Sequence, residues 1–88
     1  MKVKHILVQH QYEAEDILRK LNDGKTFEDL ARTYSTCSSA SQGGDLGLVK
    51  TGKFVVDFEE AACGLKPGEI SKKPVRTAFG YHIIFRYM

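Results

Sequence analysis

At 88 residues the chain has room for one small domain, 1–88, which buries only roughly 60% of the surface its unfolded chain exposes. Its 42% apolar residues and interspersed charges are those of an ordinary globular domain, not of a disordered or low-complexity segment, and no run is long enough to span a membrane. A net charge of +2 is too small to argue for nucleic acid; Lys66, Lys72, Lys73, Arg76 and Arg86 make the C-terminal third basic and read as a solvated face.

The chain opens on KVKHILV, which lacks the apolar core length and small-residue cleavage site of a secretory signal and so reads as a cytoplasmic protein. In this β-branched run Val3, His5 and Leu7 share one face and Lys4, Ile6 and Val8 the other, which predicts a strand carrying a histidine on one face. From about Tyr12 to Asn22, Ala14, Ile17, Leu18 and Leu21 recur at helical spacing, and Gly24 follows as a left-handed cap. Thr26 with Asp29 three residues on marks the start of a second helix, which buries Phe27, Leu30, Ala31 and Tyr34. STCSSASQGG then breaks the pattern, because Ser and Thr compete for backbone hydrogen bonds and glycine relaxes φ.

Asp45 to Val49 is a short strand, and GLVKTGKF runs through and beyond it. That octapeptide falls one residue short of a phosphate-binding loop: Gly47, Gly52 and Lys53 fit, but Phe54 stands where Ser or Thr would hold magnesium, and the chain is too short for the parallel sheet such a loop serves. Val55, Phe58, Glu59, Ala62 and Leu65 predict a third helix ended at Gly64 and KPGE, since Pro67 cannot continue it. Ile70 to Val75 reads as a third strand and Tyr81 to Met88 as a fourth, with a turn around TAFG; His82 and Ile84 lie opposite Tyr81, Ile83 and Phe85. Cys37 and Cys63 are far apart with no CxxC spacing, which favours two reduced thiols over a disulfide or a zinc site.

The order β-α-α-β-α-β-β has a final connection too short for a parallel crossover, so the expected fold class is α+β: a mainly antiparallel four-stranded sheet with three to four helices packed around it. The two strand histidines meet only if the first and last strands are neighbours.

KHILV, CSSASQGGDLGLVKTGKF, FEEAACGLKPGEIS and TAFGYHII, in that order and over nearly the whole chain, resemble the parvulin-type peptidyl-prolyl cis/trans isomerases. The resemblance implies rotation of X-Pro bonds in proline-containing peptides and in unfolded or partly folded protein clients, by a monomer without cofactor or metal. It places the proline pocket on Leu46, Phe54 and Phe58 with Phe79 at its edge, and a polar floor on His5, Cys37, Thr77 and His82. The chemistry suits these residue types: an X-Pro bond turns slowly over a barrier of about 18–20 kcal/mol, and an apolar pocket that strips water from the carbonyl weakens the resonance that has to be broken. Neutral imidazoles both donate and accept, so two can fix each other's tautomers.

Other readings compete residue by residue. Two strand histidines are more often satisfied sheet residues than active groups, three phenylalanines more often core than pocket, and Cys37 behaves as a small hydrophobe when buried. Cys37 as a nucleophile needs a thiolate, and members of the family with aspartate there also isomerise, so a polar neighbour tuning the histidines is the preferred role. A metal held by His5, His82 and Cys37 is the least favoured alternative. His10 has no matching role and is solvated; Tyr12, Tyr34, Tyr81 and Tyr87 are packing residues. Two positions depart from the family: Phe54 where methionine is usual, and Asp57 where proline is frequent, which Asp57 offsets by capping the third helix. QHQYEAED after the first strand is short and lacks Arg and Lys, so no preference for phospho-Ser/Thr-Pro is expected. The alternative function is a non-catalytic, chaperone-like module that holds proline-containing segments.

Overall fold

A computed structural model describes residues 1–50 and 52–88. The elements are β1 (Lys2–Val8), α1 (Gln11–Asn22), α2 (Phe27–Tyr34), a 3₁₀ turn (Ser38–Gln42), β2 (Asp45–Leu48), α3 (Val56–Cys63), β3 (Val75–Thr77) and β4 (Gly80–Arg86). The strands form one antiparallel sheet in the order β2-β1-β4-β3, so the first and last strands lie side by side at its centre.

Alternation along β1 and β4 divides the core in two. Ile6, Val8 and Ile83 meet Ala14, Ile17, Phe27, Leu30 and Ala31 of α1 and α2, while Val3 and Ile84 meet Val49 with Phe58 and Ala62 of α3 on the other face. Helices therefore cover both faces, and the central strands are buried on each. Thr26 opens α2 by accepting the Asp29 amide at 3.2 Å, satisfying one of the unpaired donors of the first turn.

The loop into β2 runs so close to β1 that the Gly44 carbonyl accepts the His5 amide at 2.9 Å. Gly44 sits at φ +84°, and a Cβ there would meet the His5 carbonyl oxygen, so only glycine fits. Gly24 has the expected positive φ of 96° after α1.

Several boundaries differ from the sequence expectation. The third strand is Val75–Thr77, not Ile70–Val75: Ile70 makes an isolated bridge to Phe85, and Ser71 Oγ accepts the Ile84 amide at 3.0 Å, so a side chain interrupts the ladder. From there to Val75, opposite His82, five steps on one strand face three on the other, a bulge that ends at Pro74, which has no N–H to give. β4 stops at Arg86 and the loop after Cys37 contains the 3₁₀ turn. Tyr34 and Tyr12 are exposed, at 42% and 69%, because they lie on the outer flanks of their helices. Val55, not Asp57, occupies the cap position of α3; the carboxylate that organises this entry is Glu59, whose Oε1 accepts the amides of Gly52 at 2.7 Å and Phe54 at 3.3 Å. Thr51, within the loop-like octapeptide, lies outside the described residues.

Candidate active site

The β1–β4 register pairs His5 with Ile84 and Leu7 with His82, which makes the two histidines diagonal neighbours on the face that α3 covers. Their Nδ1 atoms are 3.0 Å apart and the rings stack at 5.2 Å and 20°. On the far side of His82, Nε2 lies 2.7 Å from Thr77 Oγ1, supplied by the short edge strand β3.

The proton positions follow from counting partners. Thr77 Oγ1 accepts the Phe79 amide at 3.2 Å, leaving its own proton for His82 Nε2. His82 then carries its proton on Nδ1 and donates to Nδ1 of His5, and His5 is protonated on Nε2, a buried N–H with no partner among the described groups. The reverse polarity strands two groups, the Thr77 hydroxyl and His5 Nε2, so the first is favoured.

Burial, and then the charge of a protonated His82, lower His5 to about 4; burial lowers His82 to about 4. Both imidazoles are neutral near pH 7, so one can donate from Nδ1 while the other accepts there. Phe58 meets both rings edge-on, at 5.6 Å and 5.2 Å, and Phe54 stacks on Phe58 at 5.3 Å and 22°.

These groups wall a cavity of about 380 Å³, at the small end of ligand pockets and mostly apolar. Its lining includes seven of the eight residues nominated from the sequence: His5, Cys37, Leu46, Phe54, Phe58, Phe79 and His82. Thr77, the eighth, stands behind His82. Phe79 is 61% exposed at the edge, whereas Phe58 is buried and also belongs to the core under α3. A hollow of similar size beside Met1, Val49, Glu59, Cys63 and Arg86 has no aromatic wall.

Cys37 faces the cavity as a free, half-buried thiol. It makes no hydrogen bond to either imidazole. Burial pushes its pKa up, but the side chains and amides of Ser39 and Ser38 at the start of the 3₁₀ turn outweigh that and leave the thiol below its ordinary range, without a hydrogen bond of regular geometry to Sγ. Among the described residues, no three His, Cys, Asp or Glu side chains are grouped to hold a metal ion.

Sequence reasoning missed Leu7, Lys53 and Val55, which also line the cavity. Leu7 was recoverable, since it shares the His5 face two residues on; Lys53 and Val55 flank Phe54 in a loop whose path no periodicity reveals. Gln9 was missed too: its Nε2 lies 3.3 Å from the Phe79 carbonyl and 3.4 Å from Thr36 Oγ1, linking the two segments that carry Phe79 and Cys37.

Residues 5–86 match the family model described as rotamase, PPIC-type PPIase domain. The chain is 52% identical over 85 residues to the foldase protein PrsA of Bacillus subtilis, covering 96% of this chain and 29% of that protein. It superimposes on the solution structure of NmPin, the parvulin of Nitrosopumilus maritimus, with a TM-score of 0.89 at 45% identity, covering 100% of this chain and 95% of that one. A Campylobacter jejuni structure, described as one of two SurA-like chaperones of which one is a virulence factor and the other periplasmic, gives a TM-score of 0.93 at 39% identity over 99% of this chain and 37% of that one. The chain thus spans less than a third of the length of the curated relative. No helix among the described residues is long and apolar enough to cross a membrane.

Proposed function

The chain belongs to the PPIC-type rotamase family, the parvulin peptidyl-prolyl cis/trans isomerases, and from that premise we propose that residues 1–88 act as one isomerase domain with the aromatic cavity as the place where an X-Pro bond is turned. The observation that carries this reading is the pairing of an apolar, aromatic-walled cavity with a buried, uncharged histidine pair at its base.

Leu46, Phe54 and Phe58 would hold the proline ring by burial of its apolar surface. The carbonyl before the proline would then swing in a space stripped of water, which destabilises the planar amide relative to the twisted one. Each tenfold in rate needs about 1.4 kcal/mol of such preference. The unpartnered Nε2–H of His5 is the one buried donor of the set, and Thr77 and His82 fix its direction through the relay. Cys37 supplies a polarisable wall without a covalent step.

Protein clients presenting exposed prolines are the substrates this reading implies. Assistance to folding comes to this chain from its similarity to a foldase and to SurA-like chaperones. The cytoplasmic location expected from the sequence is withdrawn: it leaned on how the chain starts, and a relative of 39% identity comes from a pair in which one member is periplasmic. Only Gln9 and His10 separate β1 from α1, so no basic loop stands ready for a phosphate.

Exchange spectroscopy on unphosphorylated X-Pro peptides tests the proposal. Catalysed cis/trans exchange is expected, with less than about tenfold gain for phospho-Ser-Pro, since a bidentate guanidinium site is missing. Phe58→Ala, in protein shown to be folded, is expected to lower kcat/KM at least about tenfold, about 1.4 kcal/mol of lost transition-state binding. Peptides that bind without accelerated exchange would favour the chaperone-like module instead.

A further inference from the structure

We propose that Lys53 makes this domain select prolines flanked by an acidic side chain, an inference that rests on the isomerase reading of the cavity. Of the ten residues lining that space, Lys53 alone carries a fixed charge near neutral pH. His5 and His82 are uncharged there, and the remaining lining groups are apolar apart from the Cys37 thiol.

The position of this charge is set by the backbone around it. Glu59 holds the amides of Gly52 and Phe54, and the Lys53 amide donates to the Lys50 carbonyl at 3.2 Å. Both neighbours of Lys53 are therefore tethered to α3, and its stem leaves the loop beside Phe54 and Val55 at the cavity wall. Lys53 enters no salt bridge among the described residues. Glu59, the nearest carboxylate in this loop network, is committed to two amides, and the other charges close in sequence are exposed Lys50 and Asp57.

A peptide whose proline sits between Phe54 and Phe58 brings its neighbouring side chain within reach of a lysine stem. Low-dielectric walls on either side of a single cation focus its field into the cleft. A carboxylate gains there and an ammonium loses, while the long, solvated stem keeps the effect modest. The selection differs from phosphate recognition, which takes a fork of guanidinium donors rather than one ammonium.

The test uses short peptides with Glu, Gln or Lys before proline, and a second set with the same residues after it, at about pH 6.5, where both imidazoles are neutral. At low salt the kcat/KM ratio of Glu- to Lys-containing peptides is expected to be about three to ten, falling toward one in about 0.5 M salt. Lys53→Gln should bring the ratio close to one and Lys53→Glu should invert it. A ratio is read because a general loss of stability or turnover leaves it unmoved. A ratio unaltered by Lys53→Glu overturns the inference while leaving the isomerase reading intact. If no peptide is turned over, the isomerase reading fails, and the same ratio taken from binding constants by chemical-shift titration still decides the role of Lys53.

Discussion

His5 and His82 share a hydrogen bond through atoms that each need only one proton between them, and both are buried, so adding a second proton puts a cation against a donor in a dry setting. Their folded pKa values of about 4 lie below the ordinary imidazole value of 6.5, so between those limits the unfolded chain binds more protons than the folded one. Stability from the pair is therefore complete above about pH 6.5 and is lost as pH falls toward 4, each unit of separation being about 1.4 kcal/mol. Thermal melts from pH 8 to 6.5 are expected to show no loss from the pair, with a steep loss below about pH 5.5; turnover, which follows the folded-state values, should fall only as pH approaches about 4. A turnover limb centred near pH 6.5 would mean that one imidazole titrates freely. At this scale the sequence told a good deal. Alternation along two strands put His5 and His82 on nameable faces, and the family motifs supplied their meeting. What it could not tell was the relay's direction, which depends on the Phe79 amide occupying one lone pair of Thr77, nor the presence of Lys53 at the rim, which depends on a loop tethered by a glutamate five and seven residues away in sequence.

Elements whose ends are fixed by local chemistry were legible, and those fixed by partners across the sheet were not. α1 and α2 carry a helical apolar stripe with Gly24 and Thr26 as punctuation, and they stand within a residue or so of where the pattern put them. β3 was misplaced because Ile70, Val75 and their neighbours look equally strand-like, and only the Ser71 hydroxyl and Pro74 decide which of them pair. Glycines sort in the same way. Gly44 and Gly52 both have positive φ, 84° and 87°, but a Cβ on Gly52 meets nothing within 4 Å whereas one on Gly44 meets the His5 carbonyl. Gly52→Ala is thus expected to cost only the conformational strain, about 1 kcal/mol, and Gly44→Ala about 2–4 kcal/mol, because the loop has to back away from β1. Urea denaturation of the two variants checks this. Because the Gly44 carbonyl holds the His5 amide, the larger loss should come with shifted imidazole resonances of His5 and His82, and equal costs at the two glycines would mean that β1 and the β2 loop are not in close register.

On the scale of the whole molecule, the two central strands come from the opposite ends of the chain. The Lys2 amide donates to the Met88 carbonyl at 2.9 Å and the Tyr87 amide to the Lys2 carbonyl at 3.0 Å, so the first and last described residues leave the sheet together. Such a topology makes the site late to assemble. His5 and His82 meet only after the longest loop in the chain has closed, and folding dominated by non-local pairing is slow. It also makes the domain a unit that a longer chain can enter and leave at one point. Both consequences meet in one experiment: joining Met88 to Met1 by a short Gly-Ser linker and opening the chain after Gly24, an exposed turn where a Cβ would touch nothing. In that permutant β4 and β1 become a hairpin, the most distant pairing turns local, and α2 through β4 precede β1 and α1. The expected outcome is a folded protein with kcat/KM within about threefold of the parent, since each cavity residue keeps its neighbours, and with refolding at least about tenfold faster in stopped-flow measurements, since the costliest loop closure has been made covalent. Unchanged refolding would place the rate-limiting step in the helices or at the β2 loop rather than in the union of the chain ends. A folded permutant with lost turnover would show that the β1–β4 pair has to be held apart at its open end for the histidines to align.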